Sequence, residues 1–117
     1  MSLRSALLFA LAMMPGIATA QTQITESVNW ALPGCRSFLV SSDFQAFKQG
    51  YCGGMVVSLM TVGADLPAGF RFCVPAGTST EHAMRVLVVY LERRPILQHE
   101  PFYVLAREAF HEAWPCR

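Results

Sequence analysis

Histidines, cysteines and carboxylates are the side chains to question first, because they carry most metal, acid–base and nucleophilic chemistry. The chain has three histidines, His82, His99 and His111. Glu108-x-x-His111 has the i, i+3 spacing by which helical bundles hold di-iron sites, but such a site needs a second Glu-x-x-His and two further glutamates. No second copy is present. Zinc sites want cysteines in close pairs such as C-x-x-C. Cys35, Cys52, Cys73 and Cys116 instead lie 17, 21 and 43 residues apart. A nucleophilic enzyme needs a nucleophile and a base oriented by a third group. Ser41, Ser42, Ser58 and Ser79 have no recognisable elbow around them. Glu81 and Asp43 are better used as helix caps, and Glu108 and Glu112, at i, i+4, share one exposed helix face. The sequence is therefore expected to have no catalytic residues, no metal and no cofactor.

The cysteines have another chemistry open to them. Met1–Ala20 has the layout of a secretory signal: Arg4, the apolar run Ala6–Met14, then Ala18-Thr19-Ala20 before Gln21. The apolar run falls well short of the roughly 20 residues that span a bilayer, and no cysteine near the cleavage point suggests a lipid anchor. An even number of cysteines behind an export signal implies an oxidising compartment and two disulfides. Four cysteines allow three connectivities, and spacing does not choose among them.

The remaining chain, residues 21–117, is expected to be one domain whose core is small enough to profit from covalent ties. The whole chain, leader included, is 53% hydrophobic, too apolar to stay disordered. With Arg4 in the leader, eight Lys+Arg face eight Asp+Glu. A net charge of zero excludes nucleic acid and anionic membrane surfaces as partners, since both require clustered positive charge.

The elements that must position these residues read as helices. Phe102, Leu105, Ala106, Ala109, Phe110, Ala113 and Trp114 follow an i, i+3, i+4, i+7 course, predicting an amphipathic helix over His99–Trp114 that Pro115 stops. Thr78-Ser79-Thr80-Glu81 matches a capping box with Thr78 as N-cap, opening a helix over Thr78–Arg93. This helix is apolar nearly all round and is expected to be central. A third helix is expected over Asp43–Val62, capped by Asp43 or Ser42. Gly50, Gly53 and Gly54 in its middle each cost about 1 kcal/mol against Ala, so a close packing partner or a nearby disulfide is expected there. Thr25–Leu39, interrupted by Pro33-Gly34, is one kinked helix or two short ones. The class is all-α, about four helices stapled by disulfides.

Gly63–Gly77 is long for a loop in a small bundle, and Cys73 ties it down. It carries Phe70, Arg71 and Phe72, and Tyr103 flanks the last helix. Aromatics and Arg are the usual anchors of binding surfaces, so these four are the candidate partner contacts. For Phe70 and Phe72, a place in the core under the loop is an equally weighted alternative.

The cysteine frame has its own signature. Leu32-Pro33-Gly34-Cys35-Arg36 is followed by Gly50-Tyr51-Cys52-Gly53-Gly54, then Phe72-Cys73-Val74-Pro75, Thr78-x-x-Glu81 and Val88-Val89-Tyr90-Leu91, and finally Ala113-Trp114-Pro115-Cys116. In order and spacing this resembles the Rap/Tai family of type VI secretion immunity proteins. The resemblance implies a periplasmic, all-α homodimer that binds a peptidoglycan amidase effector and blocks its substrate groove, with no catalysis of its own. By analogy it also implies the pairs Cys52–Cys73 and Cys35–Cys116. In that family the frame marks the fold while the effector-binding surface varies, so no residue here is matched to a toxin contact. The alternative function for the same fold is an orphan periplasmic adaptor or a stress-protection, chaperone-like module.

Overall fold

The computed structural model describes residues 26–117. They form four helices: α1, Val28–Leu39; α2, Ala46–Val62; α3, Thr80–Glu92; and α4, Phe102–Ala113. Single 3-10 turns stand at Gly63–Asp65 and Pro95–Leu97, and among the described residues there is no strand, only two isolated β-bridges. The all-α expectation holds. The predicted signal, Met1–Ala20, lies outside the described residues.

α1 is one helix, with Pro33 inside it. The Ser27 hydroxyl caps its start by accepting from the Trp30 amide at 3.3 Å. Two further amides that a helix start leaves without partners, those of Val28 and Asn29, donate to the carbonyls of Glu100 (3.0 Å) and Gln98 (2.9 Å). The Phe102 amide donates back to Glu26 at 2.8 Å. The first and last helices are thus stitched together at their N-termini, and α4 begins at Phe102 rather than His99. α2 starts later than Asp43 because Ser41 and Gln45 are left-handed (φ 53° and 65°), which interrupts any earlier helix. The α3 cap is Ser79, whose hydroxyl accepts from the His82 amide at 3.1 Å. Thr78 was the expected cap, but its hydroxyl donates to the Pro75 carbonyl at 2.7 Å and so belongs to the preceding turn. Glu81 pairs with Arg85 one turn on.

The core runs from Val28, Ala31 and Leu32 through Val56 to Met84, Leu87 and Leu91, and on to Phe102, Ala106 and Phe110. α3 packs against all three other helices, but so does each of the others. The most extensive helix pairing is between α1 and α2, so α3 is not the centre the sequence predicts. Nor does its apolar character bury it on most faces: Val86 and Tyr90 are half-buried and Val89 is 44% exposed.

The two disulfides are Cys35–Cys52 and Cys73–Cys116. The pairs expected by analogy, Cys52–Cys73 and Cys35–Cys116, are therefore corrected. The reason lies in the close approach of α1 to α2. A Cβ on Gly34 would sit 2.3 Å from the backbone carbon of Lys48. That glycine lets the next residue, Cys35, bring its Cα within 5.3 Å of Cys52. Both cysteines are fully buried, with Cys52 Sγ 3.3 Å from Met84 Sδ. Of the mid-helix glycines, Gly53 meets the Phe38 ring beside this disulfide, while Gly50 and Gly54 face open space.

Candidate functional site

The long loop is tied at its far end by the other disulfide. Cys73 donates its amide to the Trp114 carbonyl at 2.8 Å, and Phe72 and Pro115 form a bridge. Cys116 then follows directly beyond α4, with a Cα–Cα distance of 4.9 Å to Cys73. Inside the loop, Phe72 is fully buried, 5.6 Å from the Phe110 ring. A Cβ on Gly63 would stand 2.3 Å from the Phe72 ring, so the glycine at the end of α2 makes the socket for it. The Phe72 amide also donates to the Gly63 carbonyl at 3.2 Å. Phe72 is thus a core residue and leaves the set of candidate partner contacts.

Its neighbours point the other way. A turn at Pro67–Phe70, closed by a 3.0 Å bond from the Phe70 amide to the Pro67 carbonyl, uses Gly69 at φ 93°. A left-handed residue of this kind favours glycine. The turn lifts Phe70 onto α4, where its ring lies 4.3 Å from the Arg107 guanidinium. Phe70 remains 47% exposed. Arg71 is exposed, with Nε donating to the Leu66 carbonyl at 3.1 Å. The Arg71 carbonyl accepts from His111 Nδ1 at 2.7 Å. Tyr103, 49% exposed, stands one helical turn before Arg107 on the same side of α4.

Phe70 and Arg71 are therefore held against α4 by Arg107 and His111, on the side of the helix that also carries Tyr103. Nothing in the sequence pattern paired Arg107 with Phe70, because the contact depends on the tertiary course of the loop. The face has two exposed aromatic rings and two guanidiniums, with the loop bonded on both sides of Phe70. Such an arrangement suits recognition, since a ring already held in place, as Phe70 is, loses little freedom on binding.

Several of the other polar residues with possible chemistry have structural partners. Glu108 lies 3.6 Å from Arg107, whereas His111 bonds the loop, so the Glu-x-x-His pair does not converge. Among the described residues no three His, Cys, Asp or Glu side chains gather as metal ligands. Ser42 accepts from the Phe44 amide at 3.1 Å and Ser79 caps α3.

A second surface lies on α2. α2 contains one charged residue, Lys48, and is apolar on all sides, yet its buried residues are Cys52, Gly53 and Val56. Phe47 (78% exposed) and Val57 (49%) face outward with Gly50 and Gly54. A helix apolar all round is normally covered on all sides.

Fold and site together define a small disulfide-stapled helical protein with exposed aromatic and apolar surfaces. The match to the Rap1a immunity protein family covers residues 34–116, from the close-approach glycine to the last cysteine. The chain belongs to that family and is an immunity protein acting against an effector. No curated protein and no solved structure matches it.

Proposed function

We propose that the protein is exported by cleavage of residues 1–20 and acts in the periplasm. There it binds a type VI secretion peptidoglycan amidase and occludes its substrate groove. The single observation that carries this reading is the family match across the whole stapled frame. The face of Phe70, Arg71, Arg107 and Tyr103 is the surface assigned to the effector. An inhibitor of this kind needs rigidity and complementarity but no chemistry of its own. The cysteine pairs supply the rigidity where oxidising conditions keep them closed.

The family resemblance also supports a homodimer, and the outward side of α2 is the surface assigned to it. Phe47 and Val57 flank glycines that leave the helix backbone open to close approach.

The test is capture from a periplasmic extract with the oxidised protein as bait, followed by an amidase assay on the captured hydrolase. An amidase inhibited by the wild-type protein, with Phe70→Ala binding weakened by about 2 kcal/mol, supports the assignment. Recovery of no hydrolase, or equal inhibition by Phe70→Ala, overturns it. For the dimer, light scattering should return twice the monomer mass, and Val57→Glu should return the monomer.

A further inference from the structure

α3 and α4 leave a groove between them of about 370 Å³. It lies on the other flank of α4 from Phe70: Glu112, on its wall, is about 140° round the helix from Arg107. Val86, Val89, Tyr90, Ala109 and Ala113 give it an apolar lining. The two walls differ in charge. Glu112 stands on the α4 side, and Arg85, Arg93 and Arg94 stand on the α3 side.

Arg94 is fixed. Its guanidinium lies 3.6 Å from the Tyr90 ring, donates to the Tyr90 carbonyl at 3.0 Å and bonds Glu112 at 3.0 Å. Arg85 is held only by the exposed Glu81. Arg93 is exposed and makes no ion pair among the described residues. Arg85, Val89 and Arg93 recur at i, i+4 and i+8, so they form one stripe about 12 Å long. An extended peptide covers that length in about four residues and turns alternate side chains to the same side.

We infer that this groove docks an extended polypeptide segment of the form acidic–x–apolar–x–acidic. The two carboxylates meet Arg85 and Arg93, and the apolar side chain between them rests on Val89 and Tyr90. The match is in charge and in spacing, since first, third and fifth residues of an extended strand repeat about every 6.6 Å, close to the roughly 6 Å steps of the helix stripe. This surface is separate from the one assigned to the effector and does not depend on it.

The test is an NMR titration of the purified, oxidised protein with acetyl-Glu-Ser-Leu-Ser-Glu-amide. The control peptide has glutamine in place of both glutamates. Saturable shifts centred on Val89 and Ala113 are expected, with the control about tenfold weaker and the difference shrinking in high salt. Arg93→Glu should lose the preference for the acidic peptide while its helical spectrum and melting temperature stay unchanged. Equal binding of the two peptides, shifts centred on Phe70 and Tyr103, or no saturable shift overturns the assignment. Because no amidase takes part, failure here leaves the immunity reading standing, and failure of that reading leaves this one standing.

Discussion

The two disulfides do different work. Cys35–Cys52 is sealed among α1, α2 and Met84, and closes 17 residues of chain. Cys73–Cys116 closes 43 residues, and at its end Cys73 is exposed. On the chain-entropy view the first contributes about 3 kcal/mol and the second about 4. The sealed one also fills core volume, which the outer one does not. The lesson is that one staple secures the body while the other secures a surface: it holds the loop whose Phe72 is sunk and whose Phe70 is raised.

That contrast can be broken most severely at the sealed staple. Replacing Cys35 and Cys52 together with alanine should cost about 5 kcal/mol, because a packing defect adds to the lost tether. Denaturant unfolding should show little cooperative transition remaining. Replacing Cys73 and Cys116 should cost about 4 kcal/mol. Limited proteolysis of that variant should cut first within residues 64–77, with α1 and α2 still protected. If cleavage fell as early in α2, the two staples would not be independent.

The contrast sharpens within the loop itself. Phe72→Ala should lower stability by about 3 kcal/mol, whereas Phe70→Ala should stay within about 0.5 kcal/mol in the same melt. The reverse order is expected for effector binding. The smallest effect is alkaline. Burial raises the Tyr90 phenol above its ordinary value near 10, with Arg94 pulling it down and Glu108 and Glu112 pushing it up. Burial, and then the charge of Glu26, raises Tyr51 as well. The unfolded chain therefore releases these protons at lower pH than the folded one. The stabilisation is complete below pH about 10 and fades as pH rises through the folded values. Tyr90→Phe should flatten that decline in a pH series of melts.

Much of the fold is legible in the sequence. The α4 stripe gave the helix its buried residues, and only its first turn was overextended, because backbone bonds to the start of α1 lie outside a sequence pattern. The α3 cap was misplaced by one residue because Thr78 and Ser79 both have the chemistry of a cap. The turn at Pro75 decides between them. Disulfide pairing was not legible, since it follows from how closely α1 can approach α2 at Gly34, a tertiary fact. At the candidate site, Phe70, Arg71 and Tyr103 do share one face. Phe72 separates from them because its socket depends on Gly63, nine residues earlier in the chain. The open side of α2 was foreshadowed by three glycines and a near-absence of charge, but those features read equally well as a sign of internal packing.

The connectivity has a consequence for how the molecule is made. The bonds join the first cysteine to the second and the third to the fourth. On the export route proposed above, a chain threaded through a membrane N-terminus first would present Cys35 and Cys52 before Cys73 has emerged, so the correct partner would be the only one on offer. The remaining two then have only each other. Stepwise oxidation in order of arrival reaches the native pattern directly, with no wrong bond for an isomerase to undo. The connectivity first expected here, in which Cys35 would wait for Cys116, would have left a reactive thiol open until the whole chain had crossed.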